Sequence, residues 1–175
     1  DPAIVYADGT GYKTDTGKFE FYTESLVAFD EEVPTWQPPC EDPREGELAA
    51  KYPLVYIQYH DRLNVHTQHI LNPALEVVQD EPLLQMNPVD AEARGISDGD
   101  YVECYNDRGF AVAKAVYSQA IRPGMLVYPK GWQLSQHKAG GWSELSSTEF
   151  DVFAVNNNFM DVLCEIRVWN EGGAR

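Results

Sequence analysis

The residues best suited to chemistry lie in one short stretch, residues 59–69 (YHDRLNVHTQH). Three of the four histidines of the chain fall within it, together with an arginine. Imidazole and guanidinium groups donate the hydrogen bonds that phosphates and polar heterocycles accept. The stretch follows an apolar run, and loops that leave strand ends often carry ligand contacts. It therefore predicts a ligand-binding loop with these candidate contacts: Tyr59, His60, Arg62, His66, Thr67 and Gln68.

Two other interpretations of these histidines stay open. They can be polar loop residues without a ligand, or His60, His66 and His69 can bind zinc together with Asp61. Their spacing matches no common zinc motif, and the three cysteines of the chain form no Cys-x-x-Cys pair. We therefore expect the purified chain alone to hold no metal ion.

A second stretch, residues 130–143 (KGWQLSQHKAGGWS), places glycines beside tryptophans. Glycine lets a backbone approach a flat ring closely, and indole rings pack against it, so His137, Gly141 and Ser143 are further candidate contacts. An ordinary surface loop is the alternative. Neither stretch contains a Ser-His-Asp order, a nucleophile elbow or a phosphate-binding glycine loop, so these residues indicate binding and assign no catalytic residue.

Composition narrows the class of protein. The chain has 175 residues, which fits one domain with a long arm. Its net charge of −15 and its isoelectric point near 4.5 disfavour nucleic acids and anionic membranes as partners. Acidic residues between Glu20 and Glu47 indicate a solvated strap. No apolar run approaches the roughly 20 residues that span a bilayer.

The apolar patterning predicts a small β-barrel in residues 51–175. Six segments have strand patterns, with Cys104 and Cys164 as core residues: 54–59, 82–86, 101–105, 110–116, 125–128 and 162–168. Turns are predicted at 106–109 and 121–124, and a short helix from Pro88 to Arg94 with Asn87 as its N-cap.

Residues 1–50 are predicted to form an extended arm or linker outside the barrel. The arm contains a strand pattern at residues 18–22 and a Pro-rich segment at residues 34–39, which excludes regular structure. Trp36 lies in that segment and is a candidate anchor on a larger neighbouring surface.

Five motifs, in order along the chain, resemble the last domain of the dimethyl sulfoxide reductase family of molybdopterin oxidoreductases. They are TDTGKFEFYTE at 14–24, MNPVDAEARGISDGD at 86–100, NDRG at 106–109, IRPG at 121–124 and GG at 140–141. The resemblance implies a mainly β fold, a six-stranded double-psi barrel of the aspartate-decarboxylase type with short helices. It further implies binding of molybdopterin guanine dinucleotide, with Asn87 added to the candidate cofactor contacts.

The resemblance implies the activity of the family only for a larger catalytic subunit. This chain would be the C-terminal domain of that subunit. That subunit would hold two such dinucleotides with molybdenum or tungsten, and would perform two-electron redox or oxygen-atom transfer chemistry. Implied partners are the other domains of the same subunit and an iron–sulfur electron-transfer subunit. The metal ligand would lie upstream, so this chain alone would be inactive. Within the family, the detailed resemblance is to the anaerobic branch.

Two positions depart from the family pattern. Ser143 stands where the family usually has a cofactor-binding asparagine, and Met160 where it often has lysine. The alternative function is a freestanding double-psi-barrel binding module without a redox cofactor. A self-processing enzyme of the aspartate-decarboxylase type is disfavoured, because those enzymes cleave at Gly-Ser and this chain has no such dipeptide.

The site itself is expected to be an open polar groove at one end of the barrel. The loop at 59–68 should form it beside Gln136, His137, Gly141 and Ser143. Because an open wall buries little of a ligand, the isolated domain should bind guanine nucleotides or pterins weakly.

Overall fold

The computed structural model describes residues 11–151 and 156–171, and the chain divides into two compact units, residues 1–38 and 39–175. Residues 1–10 of the predicted arm lie outside the described residues. The predicted domain boundary at residue 50 stays a prediction, although Glu41 and Ala49, which precede it, are buried within the second unit.

The first unit contains turns and one 3-10 helix, Glu24–Phe29. The predicted strand at residues 18–22 is wrong. Its neighbourhood folds into a local turn instead, in which the Thr14 hydroxyl donates to the Lys18 carbonyl and the Thr16 hydroxyl donates to Glu20. A strand needs a neighbour to satisfy its backbone groups, and no strand is present among the described residues of this unit to supply one.

The second unit contains all the described strands. Their bounds are β1 Leu54–Tyr59, β2 Leu83–Met86, β3 Tyr101–Tyr105, β4 Phe110–Tyr117, β5 Met125–Pro129, β6 Ala139–Gly140, β7 Phe150–Asp151, β8 Asn156–Asn157 and β9 Val162–Val168. Six of them match the six predicted strands to within a residue. The short strands β6, β7 and β8 were not expected from the sequence.

These six longer strands close into a barrel. They follow the order β2-β5-β1-β9-β3-β4, and β4 pairs back with β2 to complete the ring. The pairs β1–β5 and β2–β4 are parallel, and the other four are antiparallel. The mainly β, closed, mixed barrel confirms the predicted double-psi fold class.

Helices are short and peripheral in this unit. They are α1 Glu47–Lys51, α2 Pro73–Glu76 and α3 Pro88–Glu92, with 3-10 turns at Leu134–Gln136 and Trp142–Leu145. The predicted helix after Asn87 is confirmed, and its regular part ends two residues early. Among the described residues, no helix has the length and apolar character needed to cross a bilayer.

The barrel interior is filled by alternate residues of its strands. On β1, Leu54 and Tyr56 point inward, and by the same alternation so does Gln58 near the end of the strand. Cys104 and Cys164 are buried in the same core, as the sequence predicted. Gln58 therefore stands where the apolar interior gives way to the barrel mouth.

Two long connections leave the barrel at that mouth. Strands β1 and β5 run parallel, with Tyr59 in register with Pro129 at their ends. Residues 60–82 follow β1 and residues 130–161 follow β5, so both connections start side by side. The Lys130 backbone N–H donates to the Tyr59 carbonyl at 3.1 Å and joins the two starting points.

The segment from Asn87 to Asp100 is bonded into the scaffold. The Asn87 side chain accepts from Val89 N–H at 3.0 Å and donates to the Ile121 carbonyl at 2.6 Å. Asp90 accepts from Gly124 N–H at 2.8 Å. The segment thus caps α3 and holds the turn that leads into β5.

Replacing Asn87 by alanine tests this anchoring. The Asn87→Ala variant should lose about 2 kcal/mol of unfolding free energy in urea titration, since both a helix cap and a bond to Ile121 disappear. Asn72→Ala is the matched control, because Asn72 also precedes a proline and caps α2, but only through Ala74 N–H at 3.0 Å. The control should lose about 1 kcal/mol or less, and equal losses would contradict the anchoring role.

Candidate functional site

An open cleft of about 510 Å³ lies at the barrel mouth. Gln58 from β1 and Lys130 after β5 form its base, and His66 borders it from the first connection. The second connection contributes the rest of the lining: Trp142, Ser143, Ser146, Ser147, Thr148, Asn157 and Phe159. The volume is in the range of small-molecule sites, and the opening to solvent leaves one side of any ligand uncovered.

Two polar groups in this lining have no partner among the described residues. They are the Nε2 of Gln58, a residue that is only 8% exposed, and the Oγ of Ser146. Buried donors normally find a hydrogen-bond acceptor, and leaving one unmade costs about 1–3 kcal/mol. Both groups are therefore candidate donors to a ligand that has acceptor atoms.

The cleft differs in charge from the rest of the chain. The chain carries 28 acidic residues, yet no described residue lining the cleft is acidic. Lys130 and His66 supply the titratable groups there instead. A locally cationic cleft in an acidic protein favours an anionic ligand such as a phosphate ester.

His66 is held at the cleft by an unusual backbone contact. It adopts a left-handed conformation, with φ of 53°, and its carbonyl accepts from the Asn64 side chain at 2.9 Å. Gly131, with φ of 99°, packs so closely that a Cβ there would overlap the His66 carbonyl oxygen. Only glycine fits this position, and it fixes the first connection against the start of the second.

The structure brings His66 and Ser143 of the predicted site together in one cleft. His60 lies next to them, since its ring centroid is 4.5 Å from that of His66. Partial burial lowers the pKa of His60, and the positive charges of Lys130 and His66 lower it further. Neutral His60 is thus favoured beside the cationic base of the cleft.

Other predicted site residues have structural partners or face solvent. The Tyr59 hydroxyl accepts from Gln85 at 3.1 Å, and Gly141 N–H donates to the Phe110 carbonyl at 3.0 Å. The oxygen of the Asn87 amide caps α3, and its nitrogen donates to the Ile121 carbonyl. Exposed loop residues complete the set: Arg62, Thr67 and Gln68. A cofactor-binding role for each of these residues stays a prediction.

His137 is buried and does not line the cleft. Its ring stacks on Tyr128 with a centroid distance of 5.9 Å, and its Nδ1 lies 2.8 Å from the Gln133 carbonyl. That contact requires the proton on Nδ1, so Nε2 is left without a partner among the described residues. Burial lowers the pKa of His137, although the hydrogen bond to Gln133 acts in the opposite direction.

The alternative zinc site is wrong. His60, His66, His69 and Asp61 are all described, and they do not form a cluster that could hold a metal ion. His69, with φ of 68°, lies at the far end of the loop and is exposed.

Several lining residues were missed by the sequence analysis. Gln58 was hidden inside an apolar run, although one polar residue at an inward position of a strand end is a signal for such a site. Three other lining residues had no signal in the sequence, because their place depends on how the second connection folds back over the barrel. They are Ser147, Thr148 and Asn157.

The closed mixed barrel with a polar cleft at its mouth defines a ligand-binding β-barrel domain. The particular family follows from sequence comparison, since residues 54–163 match the family described as the molydopterin dinucleotide binding domain. The chain belongs to this family. All ten residues that line the cleft lie within the matched range, and so do five of the six barrel strands and the first two residues of β9.

Relatives with known names are much longer than this chain. A dimethyl sulfoxide/trimethylamine N-oxide reductase of Cereibacter sphaeroides is 38% identical over 127 residues, which is 68% of this chain and 15% of that protein. A pyrogallol hydroxytransferase large subunit of Pelobacter acidigallici is 33% identical over 135 residues, 66% of this chain and 15% of that protein. The chain thus spans about one seventh of their length.

The fold is also found in a solved structure. Acetylene hydratase from Pelobacter acetylenicus superimposes with a TM-score of 0.79 at 18% identity, over 94% of this chain and 25% of that one. At this identity the likeness concerns the fold alone. The superposition places nearly all of this chain on one part of a longer protein.

The contact between Gly131 and His66 predicts a strong effect of substitution. Gly131→Ala should destabilise the chain by more than the roughly 1–3 kcal/mol of backbone strain, because its Cβ also displaces the His66 carbonyl. The matched control is Gly99→Ala, since Gly99 has φ of 90° but open space around its Cβ position. Urea unfolding measures both, and a loss at Gly131 no larger than at Gly99 would contradict the close contact.

His137 predicts a pH dependence of stability. Its pKa is lower in the folded state than its ordinary value of 6.5, so the unfolded chain binds the proton more readily. The stabilising contribution is fully present above pH 6.5 and is lost as the pH falls below it. Unfolding free energies measured between pH 7 and pH 5 should therefore fall less steeply for His137→Asn than for the wild type. His69→Asn serves as control, because His69 is exposed in a loop, and it should keep the wild-type slope; identical slopes for all three proteins would contradict the prediction.

Proposed function

We propose that this chain is the cofactor-binding domain of a molybdenum or tungsten oxidoreductase subunit that holds two molybdopterin guanine dinucleotides. The cleft at the barrel mouth is one wall of that cofactor site. The observation that carries the proposal is the pair of buried, unpartnered donors, Gln58 Nε2 and Ser146 Oγ, in a cleft lined by no described acidic residue.

The donor set fits the chemistry of the dinucleotide. Pterin and guanine rings present carbonyl oxygens and ring nitrogens that accept hydrogen bonds from amides and hydroxyls, as Gln58 and Ser146 can donate. The phosphates carry negative charge, which the Lys130 ammonium group can neutralise as a point charge. Aromatic faces at Trp142 and Phe159 suit a flat heterocycle.

When bound, the cofactor supplies two-electron redox chemistry at its metal, which the described residues of this chain do not provide. The chain contributes binding, orientation and exclusion of water. Gln58 is rigidly placed, because it belongs to a barrel strand whose neighbouring inward residues are fully packed. A donor on a rigid element fixes the angle of a ring more closely than a donor on a mobile loop.

The lengths of the relatives support a larger parent subunit. The chain spans 15% of the reductase and of the hydroxytransferase described above. Some relatives are named as one subunit of several, such as a nitrate reductase alpha chain and a dimethylsulfide dehydrogenase subunit alpha. We infer that the open side of the cleft is covered by other domains of the same subunit, and that an iron–sulfur subunit supplies or accepts electrons.

Retention of the cofactor by the whole catalytic subunit tests the proposal. Lys130→Met and Gln58→Met should each lower the molybdopterin guanine dinucleotide content of the purified subunit, because each removes a donor worth about 1–3 kcal/mol in a closed site. Metal analysis and chromatography of the released pterin measure the content.

Lys138→Met is the matched control. Lys138 is exposed and lies over the Tyr101 ring at 4.9 Å, and it does not line the cleft. Its removal subtracts the same charge and should leave cofactor content unchanged. Full occupancy in both cleft variants, or a wild-type subunit without the dinucleotide, would overturn the proposed function.

A further inference from the structure

The wall of the cleft made by the second connection rests on the tip of the β3–β4 hairpin. Arg108 Nε donates to the Leu145 carbonyl at 2.8 Å, and the Asn106 amide donates to the same oxygen at 2.9 Å. Leu145 ends the 3-10 turn that carries Trp142 and Ser143, and it directly precedes Ser146. The hairpin tip therefore fixes the carbonyl from which the Ser146–Thr148 part of the wall continues.

A buried carboxylate lies behind this contact. Glu41, which is 7% exposed, pairs through Oε1 with Arg108 Nη1 at 2.5 Å. Its other oxygen accepts from Leu163 N–H, at the start of β9, at 2.6 Å. One side chain thus joins Arg108 to β9, and the segment just before β9 also contributes Asn157 and Phe159 to the lining. This segment lies beside the end of the Ser146–Thr148 wall, since β8 pairs with β7 and Asn158 N–H donates to the Glu149 carbonyl at 2.9 Å.

Close packing makes the arrangement intolerant of displacement. A Cβ at Gly109 would lie 2.6 Å from the Glu144 Cβ, so the hairpin tip and the 3-10 turn are in direct contact. Asn106 also donates to the Leu163 carbonyl at 3.2 Å, which links the hairpin a second time to β9. A shift of Arg108 is therefore transmitted both to the Ser146–Thr148 wall and to the start of β9.

We propose that Glu41 and Arg108 are positioning residues for the cofactor, which hold this wall of the cleft in place and set the direction of the Ser146 hydroxyl. This inference rests on the proposed function of the cleft. Glu41 lies outside the matched range of the family, residues 54–163, and comes from the segment that leads into the barrel. The segment ahead of the barrel thereby takes part in shaping the site.

Arginine is required here for its shape as well as its charge. Its planar guanidinium donates to Glu41 from Nη1 and to Leu145 from Nε at the same time. Lysine carries the same charge on a single nitrogen and cannot hold both acceptors in this geometry. Arg108→Lys consequently separates the geometric role from the electrostatic one.

The test uses the whole catalytic subunit with its cofactor. Arg108→Lys and Glu41→Gln should each release the dinucleotide about tenfold faster than wild type at a temperature well below unfolding, the change expected for one lost hydrogen bond. Release is followed by the fluorescence of the oxidised pterin, and thermal unfolding is measured in parallel.

Asp107→Asn is the matched control on the same hairpin. Asp107 bonds to Lys51 and to the Tyr52 hydroxyl at the surface, away from Leu145. It should change stability slightly and leave the release rate unchanged. Arg108→Met provides a second variant without the charge, and its release should be at least as fast as that of Arg108→Lys.

The outcomes separate this inference from the proposed function. A wild-type subunit that carries the dinucleotide, with wild-type release from Arg108→Lys and Glu41→Gln, would overturn the positioning role and leave the proposed function standing. If Arg108→Lys releases the dinucleotide at the wild-type rate while Arg108→Met releases it faster, the positive charge at residue 108 is sufficient. That result would contradict the geometric role of the guanidinium group. Absence of the dinucleotide from the wild type would instead refute the proposed function.

Discussion

Parallel pairing of β1 with β5 sends residues 60–82 and 130–161 out of the barrel at the same end, side by side. A purely antiparallel arrangement of these two strands would place the same connections at opposite ends. Everything that lines the cleft belongs to one of these strands or connections. The contact between Gly131 and His66 then fixes the two connections to each other where they start.

The site lies where the mainly apolar interior of the barrel ends in a polar residue. Leu54 and Tyr56 satisfy the packing of the barrel, and the next inward residue, Gln58, brings an amide to the mouth without giving it a partner. A ligand that accepts a hydrogen bond from this donor would satisfy it. Stability of the scaffold and affinity for the ligand are thus divided between neighbouring positions of one strand.

Local patterns were sufficient to predict the scaffold. Alternation along β9 and β3 located buried Cys164 and Cys104, and the Asn87-Pro88 pair located the start of α3. The local patterns gave a wrong prediction at residues 18–22, where a strand would need a partner strand. The aromatic residues of that segment are exposed, because no strand among the described residues of the first unit pairs with it.

The candidate site could be predicted only in part, for a physical reason. The motif that contains Asn87 and Asp90 carries much of the family resemblance, yet these residues bond to the scaffold at Ile121 and Gly124. The cleft residues are scattered over β1 and the second connection, and their meeting depends on long-range pairing. His66 and Ser143 were found because each lay in a stretch rich in polar and glycine residues.

Closure of the ring by β2 and β4 gives both sides of each barrel strand a neighbour. Open sheets end in strands with free backbone groups, onto which another polypeptide can add, and such edges promote aggregation. In this barrel each of the six strands is paired on both sides within the ring. The domain can therefore leave its cleft open to its surroundings without also presenting the edge of a barrel strand for self-association.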